Sequence, residues 1–223
     1  MSAFILKMIA IVTMTIDHAG AVVFKDMFFL RMIGRLAFPI FAFLIANGYI
    51  YTRDRKKYAI RLFVFALVSQ YPFMLAFKVG WDLNIFFTLF LGLIAIGAHE
   101  YFMEKNKSLQ ASLSVLVLAV LATALHTDYG YYGVFLIFLF YYYREKFSVL
   151  SISVVILNLV FCTQIAMSYN YYSPRMYVQC ISCFSLIFIY FYNNERGPRL
   201  KYFFYAYYPL HLLILAYIEK LKY

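Results

Sequence analysis

The chain has 223 residues, of which 65% are hydrophobic, and it carries a formal charge of +10. Because soluble domains are only about half apolar, this composition excludes an ordinary soluble enzyme and indicates a protein that lies in lipid. No basic arm, zinc-finger spacing or RNA-binding motif accompanies the positive charge, so we predict no nucleic-acid partner and attribute the charge to membrane orientation.

Apolar stretches of membrane-spanning length follow one another along the whole chain. A spanning helix needs about 20 mostly apolar residues. We therefore predict an all-α fold, a polytopic transmembrane helical bundle with about nine spans, the sixth of them short, which forms a single domain over residues 1–223. The predicted spans are 4–24, 32–52, 58–78, 84–103, 109–127, 130–143, 148–168, 175–193 and 202–221.

Basic residues between the predicted spans indicate the orientation. Short loops with an excess of Lys and Arg remain in the cytoplasm, and here the basic loops alternate with loops that hold fewer cations. This pattern predicts a cell-membrane protein with a cytoplasmic N-terminus and, after nine spans, an extracytoplasmic C-terminus. The basic loops contain Arg53, Arg55, Lys56 and Lys57, then Lys105 and Lys107, then Arg144 and Lys146, and last Arg196, Arg199 and Lys201.

Two adjacent ionisable residues, Asp17 and His18, lie inside the first predicted span. A charge at the centre of a span costs about 2.5–3.5 kcal/mol, and such residues usually face the bundle interior and mark a site. Neighbours on a helix point about 100° apart, so we expect Asp17 to pair with another helix rather than with His18. Arg35, four residues after Arg31, is the candidate partner. A purely structural Asp–Arg clamp is the alternative.

Further polar residues fall at a similar depth on other predicted spans, between the midplane and the outer surface. His211 lies in the middle of the last span, and Tyr207 precedes it by one turn. Arg61 in the third span is expected to extend its charge to the cytoplasmic face. No pair of histidines has metal-ligand spacing, so we predict no metal. The remaining polar residues of this layer are Gln70, Asn84, Thr88 and Asp128.

Three prolines lie inside predicted spans, where each removes a backbone hydrogen bond. In lipid such breaks are tolerated where neighbouring helices or a cavity satisfy the freed carbonyl. The breaks therefore indicate the interior of the bundle near a site. Each proline lies close to a polar residue: Pro39 to Arg35, Pro72 to Gln70, and Pro209 to His211.

These residue types suit group transfer. A membrane-embedded histidine can act as a general base or a nucleophile, and an arginine can stabilise a developing oxyanion. His18 and His211 could share the base and acid roles. The basic cluster Arg53, Arg55, Lys56 and Lys57 either binds an anionic donor or only sets the topology. The residues alone leave group transfer and transport both open.

Several motifs occur in a specific order across nearly the whole chain. They are KMIAIVTMTIDHAG at 7–20, RMIGRLAFPIFAFLIANG at 31–48, SQYPF at 69–73, LNIFFTLFLG at 83–92, TDYGYYGV at 127–134 and YYPLHLLIL at 207–215. With these motifs the chain resembles the TraX family of membrane proteins, which are associated with acetylation of conjugative pilin and related to the membrane acyltransferase superfamily. The arginine-containing first-helix motif of the larger acyltransferases is absent, because here the arginine comes in the second span.

The resemblance implies transfer of an acetyl group from cytoplasmic acetyl-CoA, without a metal, to an acceptor at the outer side of the membrane. The acceptor would be a pilin N-terminus, another peptide, a glycan or a lipid head group. His18 matches the catalytic histidine by position. In this hypothesis Asp17 and Arg35 hold the geometry, His211 and Tyr207 line the opposite wall, Gln70, Asn84, Thr88 and Asp128 bind the acceptor, and Arg53, Arg55, Lys56 and Lys57 bind the donor.

Two other functions compete with acetyl transfer. A proton-coupled transporter or channel would use Asp17, His18 and His211 as a relay, although the internal repeat of many transporters is absent from the sequence. A non-catalytic membrane component of a conjugation or secretion assembly would use none of them chemically. The partners expected in every case are the lipid bilayer and an acceptor or assembly partner, and a homo-oligomer is left open.

Overall fold

A computed structural model of the chain describes residues 1–168, 174–198 and 200–222, so Arg199 of the predicted basic loop lies outside the described residues. Within them every regular element except one isolated bridge, Leu83 with Thr127, is helical, which confirms the all-α prediction. The elements are α1 (Ala3–Val22), α2 (Phe28–Gly34), α3 (Ala37–Tyr51), α4 (Arg55–Phe77), α5 (Ile85–Glu104), α6 (Ser108–Ala124), α7 (Gly130–Tyr142), α8 (Phe147–Ser168), a 3₁₀ segment (Pro174–Phe184), α9 (Ser185–Tyr190) and α10 (Lys201–Lys222).

The loops that follow α1, α4 and α6 meet at one end of the bundle, together with the C-terminal end of α10. There Oε1 of Glu219 accepts hydrogen bonds from Nζ of Lys25 at 2.8 Å and of Lys78 at 3.0 Å. The backbone N–H of Leu83 donates to the carbonyl of His126 at 3.0 Å. The predicted basic loops lie at the far side of the bundle from these contacts. We therefore call the end described here the opposite end.

The loops that follow α3, α5, α7 and α9 meet at the other end, which we call the basic end. Arg55 pairs there with Glu100, and the Tyr141 hydroxyl donates to the same carboxylate at 3.4 Å. The backbone N–H of Asn193 donates to the carbonyl of Met1 at 3.0 Å, which holds the N-terminus at this end. The described helices therefore pass back and forth between two ends in the predicted order.

Apolar side chains point outward from the bundle, as in a membrane protein. By length and composition α1, α4, α5, α8 and the stretch Phe28–Tyr51 are able to cross a membrane. Small side chains fill the helix contacts because they let backbones approach closely where lipid covers the outside. In α6 three of the four buried positions are alanines, Ala111, Ala119 and Ala122, and the fourth is Val115, whereas Leu116, Val117 and Val120 are exposed.

The second predicted span, 32–52, is interrupted rather than continuous, because α2 ends at Gly34 and α3 begins at Ala37. Pro39 lies in the first turn of α3 and has no N–H for the carbonyl of Arg35, where an uninterrupted helix would have a hydrogen bond. The break therefore follows from the proline, and it places Arg35 at the junction of the two helices.

The eighth predicted span is 3₁₀ over Pro174–Phe184 and α-helical over Ser185–Tyr190. A 3₁₀ helix rises about 2.0 Å per residue against about 1.5 Å for an α-helix, so these two pieces together cover about 31 Å. That length matches a hydrocarbon core of about 30 Å, which an α-helix of the same residues would not reach. Stretching the segment allows a short sequence to cross.

The sixth span is short, as predicted, because α7 has only 13 residues. The loop before it compensates by entering the protein. Thr127 is buried, and the Thr88 hydroxyl donates to its Oγ1 at 3.0 Å and to the carbonyl of Asp128. Irregular backbone at membrane depth is stable only where protein surrounds it, so this loop marks the bundle interior.

Candidate functional site

Asp17 of α1 is clamped by two arginines from the α2–α3 region. Its Oδ2 accepts from Arg31 at 2.7 Å, and its Oδ1 accepts from Nη2 of Arg35 at 2.8 Å. The predicted pairing of Asp17 with Arg35 is thus present, and Arg31 joins it. A buried ion pair needs such multiple hydrogen bonds to offset the loss of water around the charges. The clamp fixes α1 against α2.

A glycine makes the clamp possible. A Cβ atom built on Gly34 would lie 2.1 Å from the Cβ of Asp17 and 2.2 Å from its Oδ1, which is closer than atoms can approach. Only glycine lets the last turn of α2 pack this closely against α1. The sequence analysis did not single out Gly34, although its position between the two arginines was a signal.

Arg35 extends the clamp into a wider polar network. Its Nη1 donates to Oε1 of Gln179 at 3.3 Å and to the Tyr129 hydroxyl at 3.4 Å. Gln179 in turn donates to the Tyr132 hydroxyl at 3.2 Å, and Tyr132 donates to Oδ1 of the fully buried Asn158 at 3.0 Å. Gln179 was missed in the sequence, although an amide in an apolar stretch is unusual. Through these bonds Arg35 is saturated and acts as a structural hub.

His18 and His211, which are 193 residues apart in the chain, meet inside the bundle. Nδ1 of His18 lies 2.7 Å from Nε2 of His211, and Nδ1 of His211 lies 2.9 Å from the carbonyl oxygen of Tyr207. Since a carbonyl can only accept, Nδ1 of His211 carries the proton. In the neutral ring Nε2 of His211 is then an acceptor, so His18 donates from Nδ1. This order leaves Nε2 of His18 with a free lone pair, as in a general base.

Tyr207 supports this pair from the side. Its ring stacks on that of His211 at a centroid distance of 5.1 Å, and its hydroxyl lies 2.7 Å from Oγ1 of Thr15. The Thr15 hydroxyl donates to the carbonyl of Ile11 at 2.8 Å, so Tyr207 is the donor in their bond. Tyr207 thus connects α10 to α1 beside the histidines. Tyr207 and His211 line a separate small pocket on the other side of this contact, so they do not form the cavity wall that was predicted for them.

One cavity of about 1600 Å³ contacts both ends of the bundle and includes the site. Ligand pockets commonly measure about 300–1,000 Å³, so this volume exceeds what one small ligand needs. His18 lines this cavity, whereas His211 lies behind it. Its charged or titratable lining includes Lys7, Arg53, Arg61 and Arg196 at the basic end, Asp17, Arg31 and Arg35 beside His18, and Asp82, His126, Asp128 and Arg175 at the opposite end.

Asp128 lies at the opposite end of the cavity, in the loop between α6 and α7. Burial raises the pKa of its carboxyl to about 6, while Arg35 and Arg31 pull the pKa in the other direction. Because burial disfavours the charged form, this carboxylate benefits from a cation or a hydrogen-bond donor. Its role in binding an acceptor stays a prediction.

The other predicted acceptor residues use their polar atoms within the protein. Asn84 is fully buried, caps α5 by accepting from the N–H of Phe86 at 3.0 Å, and donates to Oε1 of Gln70 at 2.8 Å. Thr88 is fully buried and bonded to the loop before α7. None of the three lines the large cavity. They lie behind the cavity lining at its opposite end, and their contact with an acceptor stays a prediction.

The predicted donor cluster divides into two groups. Arg53 lines the cavity. Arg55 pairs with Glu100, Lys57 pairs with Asp54, and Lys56 is exposed outside the cavity lining. These cations lie together at the basic end, and hydrophobic periodicity in the sequence did not reveal which of them turn towards the cavity.

Comparison with known proteins agrees with the motif order. A model of the TraX protein family matches residues 2–219. A probable fimbrial assembly protein FimC, serogroup H1, of Dichelobacter nodosus is 30% identical, over 96% of this chain and 94% of its own. Protein TraX of Escherichia coli (strain K12) is 27% identical over 60% of this chain and 52% of its own. An uncharacterised protein of Rickettsia prowazekii is 31% identical over 40% and 34%. No solved structure matches significantly.

Proposed function

The chain belongs to the TraX protein family, and we propose that it is a membrane-embedded acetyltransferase that moves an acetyl group from acetyl-CoA to an acceptor. The observation that carries the proposal is the histidine pair. His18, with a hydrogen-bonded His211 behind it, lines a cavity that contacts both ends of the bundle. A base held by a second residue in a lined cavity is the arrangement that acyl transfer needs.

In the proposed reaction His18 acts as the general base. Its Nε2 accepts the proton of the acceptor hydroxyl or amine while that oxygen or nitrogen attacks the thioester carbonyl carbon. The new carbon–oxygen or carbon–nitrogen bond forms, the carbon–sulfur bond breaks, and the proton passes from His18 to the departing CoA thiolate. His211 positions the ring by accepting its Nδ1 proton, so no redox partner or metal is required.

Arg31 is the candidate for stabilising the oxyanion of this reaction. Its side chain is 31% exposed, against 13% for Arg35, and both line the cavity. Arg35 is occupied by Asp17, Gln179 and Tyr129, whereas Arg31 has the freer access to a developing negative charge. Asp17, which is hydrogen-bonded to both guanidinium groups, would orient them for this role.

The basic end is proposed to face the cytoplasm of the cell membrane, because loops rich in Lys and Arg remain there. Acetyl-CoA is made in the cytoplasm, so the donor would enter from the basic end and the acceptor from the opposite one. The extent of the cavity supports a meeting of the two at His18.

The acceptor is proposed to be a subunit of a surface fibre. The relative from Dichelobacter nodosus carries the name of a fimbrial assembly protein and aligns over nearly its whole length. An amine or hydroxyl group on such a subunit would meet the Asp128 carboxylate at the opposite end of the cavity. A glycan or lipid head group offers the same nucleophiles and is distinguished by analysis of the product.

The test is acetyl transfer by purified protein in liposomes, with labelled acetyl-CoA and extracted envelope components as acceptors. We expect His18→Gln to lower the rate by about a hundredfold or more, the usual contribution of a general base. His99→Gln is the matched control, since His99 is buried outside the cavity lining. If His18→Gln transfers acetyl groups at the wild-type rate, His18 is not the catalytic base. If His18→Gln and His99→Gln lose activity equally, the loss indicates misfolding.

Transport is the second candidate, because a cavity in contact with both ends also suits a permeation path. In that case Asp17, His18 and His211 would relay protons. Flux of a substrate or of protons through liposomes without acetyl-CoA, abolished by His18→Gln, would favour this function. If acetyl transfer is observed and no such flux is detected, the acetyltransferase function stands and transport is excluded.

A further inference from the structure

Four cations, Lys7, Arg53, Arg61 and Arg196, line the cavity at the basic end. We infer that this cationic mouth binds the phosphate groups of CoA, and that the face of α1 from Lys7 to His18 guides the thioester arm to the base. The inference rests on the proposed function for its donor. It assigns donor binding to Lys7 and Arg61, and it leaves Arg55, Lys56 and Lys57 outside the donor site.

No carboxylate among the described residues of the cavity lining neutralises the positive charge of the cationic mouth. Among the described residues the carboxylates that line the cavity lie beside His18 or at the opposite end, and none lies at the mouth. A cleft whose charged lining residues are all of one sign attracts molecules of the opposite charge, here polyanions. Four acidic residues of the basic end bond elsewhere: Asp54 to Lys57, Glu100 to Arg55, Glu145 to Arg144, and Glu195 to Asn193.

Arg61 supplies a second, independent observation. Its Nε is buried and has no hydrogen-bond partner within the described residues. Its guanidinium lies 5.7 Å from the ring centre of Tyr58, which also lines the cavity. The same side chain hydrogen-bonds to Tyr205, so only this Nε–H lacks an acceptor. A buried donor without an acceptor costs free energy, and a phosphate oxygen would satisfy it. The sequence analysis expected this side chain to reach the cytoplasmic face, and it reaches the basic end by lining the cavity.

The spacing along α1 fits the length of the donor. Lys7, Ile11, Met14 and His18 all line the cavity, and intervals of four, three and four residues place them on one helical face. Eleven residues of α-helix rise about 16 Å. The pantetheine arm has about twelve bonds from its phosphate oxygen to its sulfur, which is about 14 Å at the reach of an extended chain. Phosphate at Lys7 would therefore place the thioester near His18, with apolar side chains between.

The test compares binding of CoA with binding of pantetheine, which has the arm but no phosphate, to purified protein in nanodiscs. Wild type should bind CoA much more tightly. Lys7→Gln and Arg61→Gln should each weaken CoA binding about tenfold, as expected for loss of one charge-assisted hydrogen bond, and leave pantetheine binding unchanged. Lys56→Gln, in the same basic end but outside the cavity lining, is the matched control and should change neither.

Unchanged pantetheine binding also reports that the variants are folded, and Lys7→Arg and Arg61→Lys should restore CoA binding. Equal affinity of wild type for CoA and pantetheine would overturn the inference, and so would a loss in Lys56→Gln as large as in Lys7→Gln. If Lys7→Gln and Arg61→Gln both have the wild-type KM for acetyl-CoA, the cationic mouth does not bind the donor. That outcome would not affect the proposal of acetyl transfer. The expected binding without any acetyl transfer would support the mouth and overturn the proposed function.

Discussion

At the residue scale, the hydrogen bonds from the Tyr207 carbonyl through His211 to His18 determine which imidazole nitrogen is free. His211→Leu removes the acceptor for Nδ1 of His18, so the ring loses both its orientation and its tautomer. We expect kcat for acetyl transfer to fall about a hundredfold, with little change in KM for acetyl-CoA. Steady-state kinetics of the purified variant measure both constants.

His211→Gln is the informative companion of this variant. Its amide oxygen is able to accept the Nδ1 proton of His18, so we expect the glutamine variant to retain clearly more activity than the leucine variant. A merely space-filling role for His211 predicts the reverse order, because leucine fills an apolar wall better. Equal and full activity of the two variants would show that His18 does not depend on His211.

Some residue contacts were predictable from the sequence and others were not. Asp17 and His18 had to point in different directions because neighbours on a helix diverge by about 100°, and the partner arginine came from the next span as expected. The sequence analysis expected His18 and His211 to share base and acid roles at one site, but it did not predict a direct hydrogen bond between them. Their hydrogen bond depends on how α10 packs against α1, and periodicity does not encode that distance.

At the element scale, the contact between α1 and α2 depends on Gly34. In Gly34→Ala the new methyl group would overlap with Asp17, so α2 must move away and the two arginine bonds must lengthen. Overpacking together with a disturbed buried ion pair is expected to cost about 3 kcal/mol or more. Thermal unfolding in detergent and acetyl transfer should both show the loss.

Gly80→Ala provides the matched control for this substitution. Gly80 lies in the loop between α4 and α5, and a Cβ atom built on it would contact nothing within 4 Å. We expect its unfolding temperature and activity to match those of the wild type. An unfolding temperature of Gly34→Ala equal to that of Gly80→Ala would show that the clamp tolerates a wider helix spacing.

The elements themselves were largely predictable because apolar length is a local property of the sequence. The interruption of the second span at Arg35 follows from Pro39. The sequence analysis expected this proline to remove a backbone hydrogen bond, but it did not predict where the helix ends. The 3₁₀ geometry of Pro174–Phe184 was not predictable, because the same apolar residues suit either helix. The position of Gln179 beside Arg35 depends on the longer rise of this 3₁₀ segment. Because the sequence does not predict that geometry, the contact of Gln179 was missed.

At the scale of the whole molecule, the two ends of the bundle differ in what they offer to a ligand. Among the described residues the charged groups that line the mouth at the basic end are all cations, whereas the opposite end of the cavity contains the carboxylates of Asp82 and Asp128 together with Arg175. An anionic donor and an acceptor with an amine or hydroxyl group would therefore approach from different ends. His18 lies between them, so the asymmetry of charge agrees with vectorial transfer across the bilayer.

This asymmetry has a direct test in the orientation of the protein in its membrane. In a background with the three native cysteines replaced by alanine, Lys56→Cys and Gly80→Cys report on the basic and the opposite end, and both positions are exposed. Since basic loops stay in the cytoplasm, a membrane-impermeant maleimide should label Gly80→Cys in intact spheroplasts and Lys56→Cys only after lysis. The reverse pattern would place the cationic mouth outside the cell, away from acetyl-CoA, and the donor assignment would fail even if His18 proved essential.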